Sequence, residues 1–225
     1  MHQTRKIVMM DTSGKVSTEE QRMPELKPRQ LRIEVRASMI SPGSELGGLR
    51  QRRTNPDPNP TKRPFGYSNA GVVTDKRGDC GNFEIGDRVS GMGGGYALHT
   101  THACVPHNLC AKIPGNVSDE DAASNHLAAT ALHAVQRGRI AIGENVVVAG
   151  LGLVGQFACQ IAQIAGAYAI GLDRLPLRVE IAQKTGVNQA VNIAETDPVE
   201  TVQKRFARSA TPSRQLPTGI RWDVS

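Results

Sequence analysis

The spacing of apolar and polar positions changes once along the 225-residue chain, near Ser118. Before it, apolar residues come in short or alternating runs: "KIVMM" (6–10), "QLRIEVRAS" (30–38), "SNAGVVTD" (68–75), "GDRVSG" (86–91) and "GYALHTTHACV" (95–105). Runs of this length, punctuated by Gly, Pro and Asp, predict β-strands and turns, hence a small barrel or sandwich. After it, "SDEDAASNHLAATALHAVQRG" (118–138) predicts a helix capped by Ser118, with Asp121 in the place a capping box gives to Glu. Its early acidic residues suit the positive end of the helix dipole.

From Glu144 the order is strand, helix, strand, helix. "NVVVAG" (145–150), "YAIGLD" (168–173) and "QAVNI" (189–193) are strand runs. "LVGQFACQIAQIAGA" (153–167), "LPLRVEIAQKTG" (175–186) and "DPVETVQKRFARSA" (197–210) are helical between them, and "GIRWDVS" (219–225) reads as a fourth strand. Pro176 near a helix start and Gly186 past its end fit the usual asymmetry of helix termini. This alternation predicts a parallel sheet with crossover helices. The division is expected at 1–143 and 144–225, with the helix after Ser118 linking the two parts.

The sharpest chemical signal is "GLGLVG", which supplies Gly150, Gly152 and Gly155. It follows an apolar strand and opens a helix, and Asp173 ends the next strand 23 residues after Gly150. In a dinucleotide site the first glycine allows the tight turn. The second lets backbone approach a pyrophosphate, and the third lets the helix pack on the strand. The free N–H groups at Leu153 and Val154 face the phosphates. Asp173 would accept bonds from the adenosine ribose, which favours NAD; Arg174 directly after it keeps NADP open.

Composition adds limits. Hydrophobic residues make up 39% of the chain, and no run of about 18 apolar residues suggests a membrane span. Cys80, Cys104, Cys110 and Cys159 show no paired spacing, so reduced thiols and a cytoplasmic location are expected. The net charge is +6, densest at Arg50, Arg52, Arg53, Lys62 and Arg63. Without a set of stacking aromatics that stretch reads as a solvated loop rather than a nucleic-acid surface. His99, His102, Cys104, His107 and Cys110 are crowded in sequence, but strand alternation parts His99 from His102 and Cys104, so they read as strand and turn residues.

Taken in order, "ASMISPGSE", "GYSNAGVV", "FEIGDRV", "KIPGNVS", "ALHAV" and "NVVVAGLGLVG…GLDRLPLR" resemble the medium-chain dehydrogenase/reductase superfamily, the zinc alcohol dehydrogenase-like group. The resemblance covers nearly the whole chain. It implies a GroES-like β-barrel domain, then a Rossmann sheet, with the cofactor between them and hydride transfer to or from an alcohol or carbonyl small molecule as the activity. It also implies that Arg178 lies near the adenosine ribose and Thr130 beside the nicotinamide.

The departures from the family pattern are specific. The family's Cys ligand falls on Ser41, or on Pro42 with a gap; its His falls on Tyr67; its third ligand falls on His126. Three ligands of N, S or carboxylate type are needed, so a catalytic zinc held in this way is not expected. Between Gly91 and Val105 only Cys104 stands where members with a structural zinc carry four cysteines. Without a metal, hydroxyl donors must meet the charge that develops on oxygen, and Tyr67 and Ser44 are the candidates. Zinc-free relatives of the quinone-reductase type act largely by positioning, which gives Tyr67 an alternative role in shaping the pocket. A sheet of this type has six strands. The fourth falls at the end of the chain, so the sequence reads as part of a longer protein, expected to form homo-oligomers when complete. A truncated, non-catalytic nucleotide-binding fragment is the alternative.

Overall fold

The structure is a computed structural model and describes residues 4–47 and 49–209. Two compact units divide between His126 and Leu127. The sequence places the boundary after residue 143, because it assigns the linking helix to the first part.

In the first unit, β1 (Thr4–Asp11) pairs antiparallel with β2 (Val16–Arg22) and β4 (Lys62–Pro64). The larger sheet contains β3 (Gln30–Ser38), β5 (Ser68–Arg77), β6 (Arg88–Met92), β7 (His102–Pro106) and β8 (Cys110–Lys112), in the order β7-β3-β5-β6-β8. Alternate residues of these strands, Leu31, Ile33, Val73, Val89, Ala103 and Val105, build its core with Cys80 and Phe83. Period two therefore locates the buried face, as the sequence pattern requires. β2 escapes that pattern. Its sequence, VSTEEQR, is almost wholly polar, and it is a strand through its antiparallel pairing with β1. The basic stretch also differs from expectation. Arg50, Arg52 and Arg53 lie on a short helix, α1 (Leu49–Thr54), which buries none of its residues. Of "GYALHTTHACV" only the end is strand; residues 95–101 are turns and an isolated bridge from Thr100 to Ile7.

The helix expected over 118–138 is two helices, α2 (Asp119–Ala122) and α3 (Asn125–Arg137). Ser118 caps α2, accepting the Asp121 N–H at 3.0 Å, while its hydroxyl donates to the Asp121 carboxylate at 2.8 Å. The break follows at once, and its cause comes from the sheet. Ser90 Oγ donates to the Ala122 carbonyl at 2.8 Å and Ser68 Oγ to the Ala123 carbonyl at 2.6 Å. In an unbroken helix those carbonyls would accept from residues four positions on.

In the second unit, β9 (Asn145–Ala149), β10 (Tyr168–Asp173) and β11 (Gln189–Asn192) form a parallel sheet in the order β11-β10-β9. The helices α4 (Leu153–Ile164), α5 (Pro176–Lys184) and α6 (Pro198–Ser209) follow these strands in turn. Leu151, Cys159, Ala169, Val179, Ala182 and Val187 make the core beneath α4 and α5. The strand expected at 219–225 lies outside the described residues.

Ser68 is fully buried, so Ser68→Ala leaves the Ala123 carbonyl without that donor. The expected cost is about 1–3 kcal/mol, read as a lower urea midpoint at unchanged slope. A wild-type midpoint would show that the serine does not hold the helix break.

Candidate functional site

The three glycines after β9 are glycine for three different reasons. Gly150 has φ +95°, a backbone state that other residues rarely adopt. At Gly155 a Cβ would stand 1.9 Å from the Gly150 carbonyl oxygen, so any side chain would force α4 away from the strand. Gly152 has neither constraint. Its φ is −65°, and the closest atom to an added Cβ is Arg178 Nη1 at 4.0 Å. The fold would admit a side chain there, and the space that glycine leaves is open. Gly152 also caps α4 and, being glycine, makes no side-chain cap hydrogen bond; Leu153 and Val154 at the helix start are half-buried. A helix N-terminus that opens at a glycine is suited to binding an anion.

Asp173 closes this loop from the end of β10. It is buried, at 5% exposure. Its Oδ2 accepts the Leu151 N–H at 2.8 Å and faces Arg178 Nη1 at 3.3 Å; its Oδ1 accepts the Leu175 N–H at 2.9 Å. Burial pushes its pKa up, but the two backbone donors and Arg178 together outweigh that and hold it below the usual aspartate value. Asp173 is therefore a structural clamp as well as a candidate ribose acceptor. One more acceptor position remains on the carboxylate beyond these three bonds. Arg174 is exposed and Arg178 half-exposed beside it. Sequence reasoning missed Gln156, which is buried on α4. Its amide donates to the Leu151 carbonyl at 3.2 Å and the Arg178 carbonyl at 2.9 Å, tying the loop to α5. A polar residue among the small and apolar ones of "LVGQFACQ" is the signal that was available.

In the first unit, Tyr67 precedes β5, and its ring meets His126 edge to face at a centroid distance of 4.8 Å. The structure thus brings together two positions that the family resemblance assigned to metal ligands. Burial lowers the His126 pKa, which favours the neutral ring. Ser41, by contrast, is engaged with its own loop: its N–H donates to Glu45 Oε2 at 2.7 Å and its hydroxyl accepts the Ser44 N–H at 3.4 Å. Ser44 is exposed in that loop, and Thr130 is exposed on α3. The His/Cys cluster is dispersed. His99 faces Glu45, His107 accepts from Arg29 Nε at 3.2 Å, and the Cys104 and Cys110 thiols face backbone carbonyls. Burial raises both thiols, Cys110 to about 12, which favours their protonated form. Among the described residues no group of three or more His, Cys, Asp or Glu is arranged to hold a metal ion.

Residues 154–211 match the zinc-binding dehydrogenase family. The chain is 28% identical over 200 residues to L-threonine 3-dehydrogenase of Escherichia coli strain K12, an alignment covering 77% of this chain and 58% of that enzyme. It therefore spans little more than half the length of the curated relatives it matches. A solved Escherichia coli oxidoreductase/dehydrogenase of unknown specificity, involved in membrane biogenesis, shares the fold with a TM-score of 0.80 at 21% identity, over 92% of this chain and 68% of that one. A Sinorhizobium meliloti 1021 protein solved bound to NADP does so with a TM-score of 0.75 at 22% identity, over 88% and 64%. The family match and the aligned relatives run to dehydrogenases, and the solved structures share the fold. The architecture expected from its sequence, a GroES-like β unit followed by the first strands of a Rossmann sheet, is the one found. No helix among the described residues is long and apolar enough to cross a membrane.

The Asp173 clamp sets a pH dependence. A carboxylate held below its unfolded value of about 3.9 contributes stability that is complete above that value and is lost as pH falls through the folded one. Asp173→Asn should cost about 1–3 kcal/mol at pH 7. The gap from wild type in urea titrations should shrink as pH falls from about 5 to about 3. A gap independent of pH would show that the carboxylate charge is not what the loop uses.

Proposed function

We propose that this protein is an NAD(P)-dependent oxidoreductase that transfers a hydride between the nicotinamide cofactor and an alcohol or carbonyl small molecule, without a catalytic zinc. The observation that carries the nucleotide reading is Gly152. It is a glycine that the backbone does not need, at the N-terminus of α4, in a loop clamped by a buried aspartate. The backbone N–H groups at Leu153 and Val154 would hold the pyrophosphate, and Asp173, Arg174 and Arg178 the adenosine ribose. NAD is the expected cofactor. Arg174 and Arg178 offer charge to a 2′-phosphate, and the NADP in the Sinorhizobium meliloti structure shows that this fold can carry one. When bound, the cofactor supplies the hydride donor or acceptor.

The metal-free reading rests on the donor set. The positions that correspond to zinc ligands offer a serine hydroxyl or a proline, a phenol and one imidazole. A catalytic zinc needs three protein ligands of N, S or carboxylate type. The family is described as zinc-binding, so this reading sets the chain apart from its relatives. Tyr67 and Ser44 are then the hydroxyls available to hydrogen-bond a developing alkoxide, and Thr130 the residue proposed beside the nicotinamide. The substrate is a small molecule, the protein acts in the cytoplasm, and it forms homo-oligomers. A second reading, nucleotide binding without turnover, is favoured by one observation: the binding features fall within residues 150–178, and none involves Tyr67 or Ser44.

Two variants and a metal assay separate these readings. Gly152→Val should keep the wild-type melting temperature and lose at least about tenfold in NADH affinity, because a side chain there meets ligand rather than protein. Gly155→Ala should instead lose about 1–3 kcal/mol of stability, because its Cβ meets backbone. Unchanged NADH binding by Gly152→Val would remove the nucleotide reading. Metal analysis of the purified protein should find far less than one zinc per chain. Stoichiometric zinc removable only with loss of activity would overturn the metal-free reading. NADH binding with no reduction of any aldehyde or ketone would select the second reading.

A further inference from the structure

In the first unit a second set of chemically competent groups stands outside the hydride-transfer reading. Ser38 ends β3 and is exposed. Its Oγ lies 2.9 Å from His99 Nδ1. The His99 ring is buried, at 6% exposure, with the Phe65 ring edge to face at 5.3 Å and the His99 N–H held by the Phe65 carbonyl at 2.9 Å. The other ring nitrogen, Nε2, is 3.2 Å from Glu45 Oε1, and the Glu45 side chain is 5% exposed. Glu45 is fixed through its second oxygen, which accepts the Ser41 N–H at 2.7 Å. The His99–Glu45 contact is close but its geometry lies outside that of a hydrogen bond, and among the described residues neither atom has a hydrogen-bond partner.

We propose that Ser38, His99 and Glu45 form a base-activated serine, a nucleophilic site that accepts an acyl group from small activated carboxylic esters. A buried carboxylate is costly unless a positive or N–H-bearing group faces it. Glu45 therefore selects the His99 tautomer with its proton on Nε2. That leaves the Nδ1 lone pair as an acceptor, and the Ser38 hydroxyl must donate to it. Nucleophile, base and orienting acid are then in sequence. The ring nitrogens are exchanged relative to the serine–histidine–aspartate arrangement, in which the serine meets Nε2. In the reaction, Ser38 Oγ bonds to the ester carbonyl carbon and its proton passes to His99 Nδ1. The carbon–oxygen bond to the leaving group then breaks, and the leaving oxygen takes that proton. Acyl-Ser38 and an alcohol or phenol result, with no change of oxidation state. The step uses no cofactor and does not depend on the oxidoreductase reading.

The test is acetylation by p-nitrophenyl acetate, with the acetyl group located by peptide mass spectrometry and nitrophenolate release followed by absorbance. Ser38 should be acetylated at least about tenfold faster than Ser44, which is exposed in the following loop. Ser38→Ala should remove the release attributable to that site, and His99→Gln should slow it at least about tenfold while far-UV circular dichroism stays that of wild type. Should His99→Gln not fold, the comparison of Ser38 with Ser44 in the unaltered protein decides alone. Equal acetylation of the two serines, absence of acetylation at Ser38, or a folded His99→Gln protein that reacts at the wild-type rate would each overturn the proposal.

Discussion

One buried carboxylate organises the glycine-rich turn of the second unit. Asp173 is removed from water, and such a charge must be met by donors. Two come from backbone, at Leu151 and Leu175, and one from Arg178. Those donors belong to the glycine-rich turn, the approach to α5 and α5 itself. Satisfying one charge therefore fixes the relative positions of β9's exit, β10's end and the following helix. The turn can then keep Gly152 open, because its shape is held from behind.

The same economy appears in the β unit, with neutral groups. Ser68 and Ser90 are buried hydroxyls that need acceptors, and they take the carbonyls of Ala122 and Ala123. This ends α2 and restarts the chain as α3, bringing His126 to the Tyr67 ring. Had the helix run on from Ser118, those carbonyls would have stayed in its own ladder. A contact between side chains 59 positions apart in sequence thus follows from two serine hydroxyls on neighbouring strands. The Glu45–His99 pair is a third case of buried polarity, and there the match is incomplete in angle. Incomplete satisfaction of buried polar groups is commonest where a protein has chemistry to do.

Much of the fold was legible because its signals are local. Period two along β3 and β5, and the strand–glycine–helix succession from Asn145, are set by neighbouring residues. The turn between β9 and α4 was readable at Gly150, Gly152 and Gly155, and so was Asp173 at the end of β10. β2 was not legible, because a polar edge strand has no apolar face to announce it, and only pairing with β1 makes it one. That Asp173 clamps backbone was hidden too, since whether a carboxylate faces solvent or backbone depends on what folds around it.

What the sequence determined alone is the succession of elements and the turn chemistry at Gly150, Gly152 and Gly155, since spacing and backbone conformation are properties of the chain itself. It also determined which donor types stand at Ser41, Tyr67 and His126, since that is a matter of residue identity. Tertiary structure decided where the helix after Ser118 breaks, that Tyr67 packs on His126, and that Ser38, His99 and Glu45 meet. Glu45 and His99 are 54 residues apart, on a loop and a turn with no shared period. Their encounter is fixed by how β1, β3 and β5 fold back on one another, because burial and hydrogen-bond satisfaction are properties of the packed chain and of no segment within it.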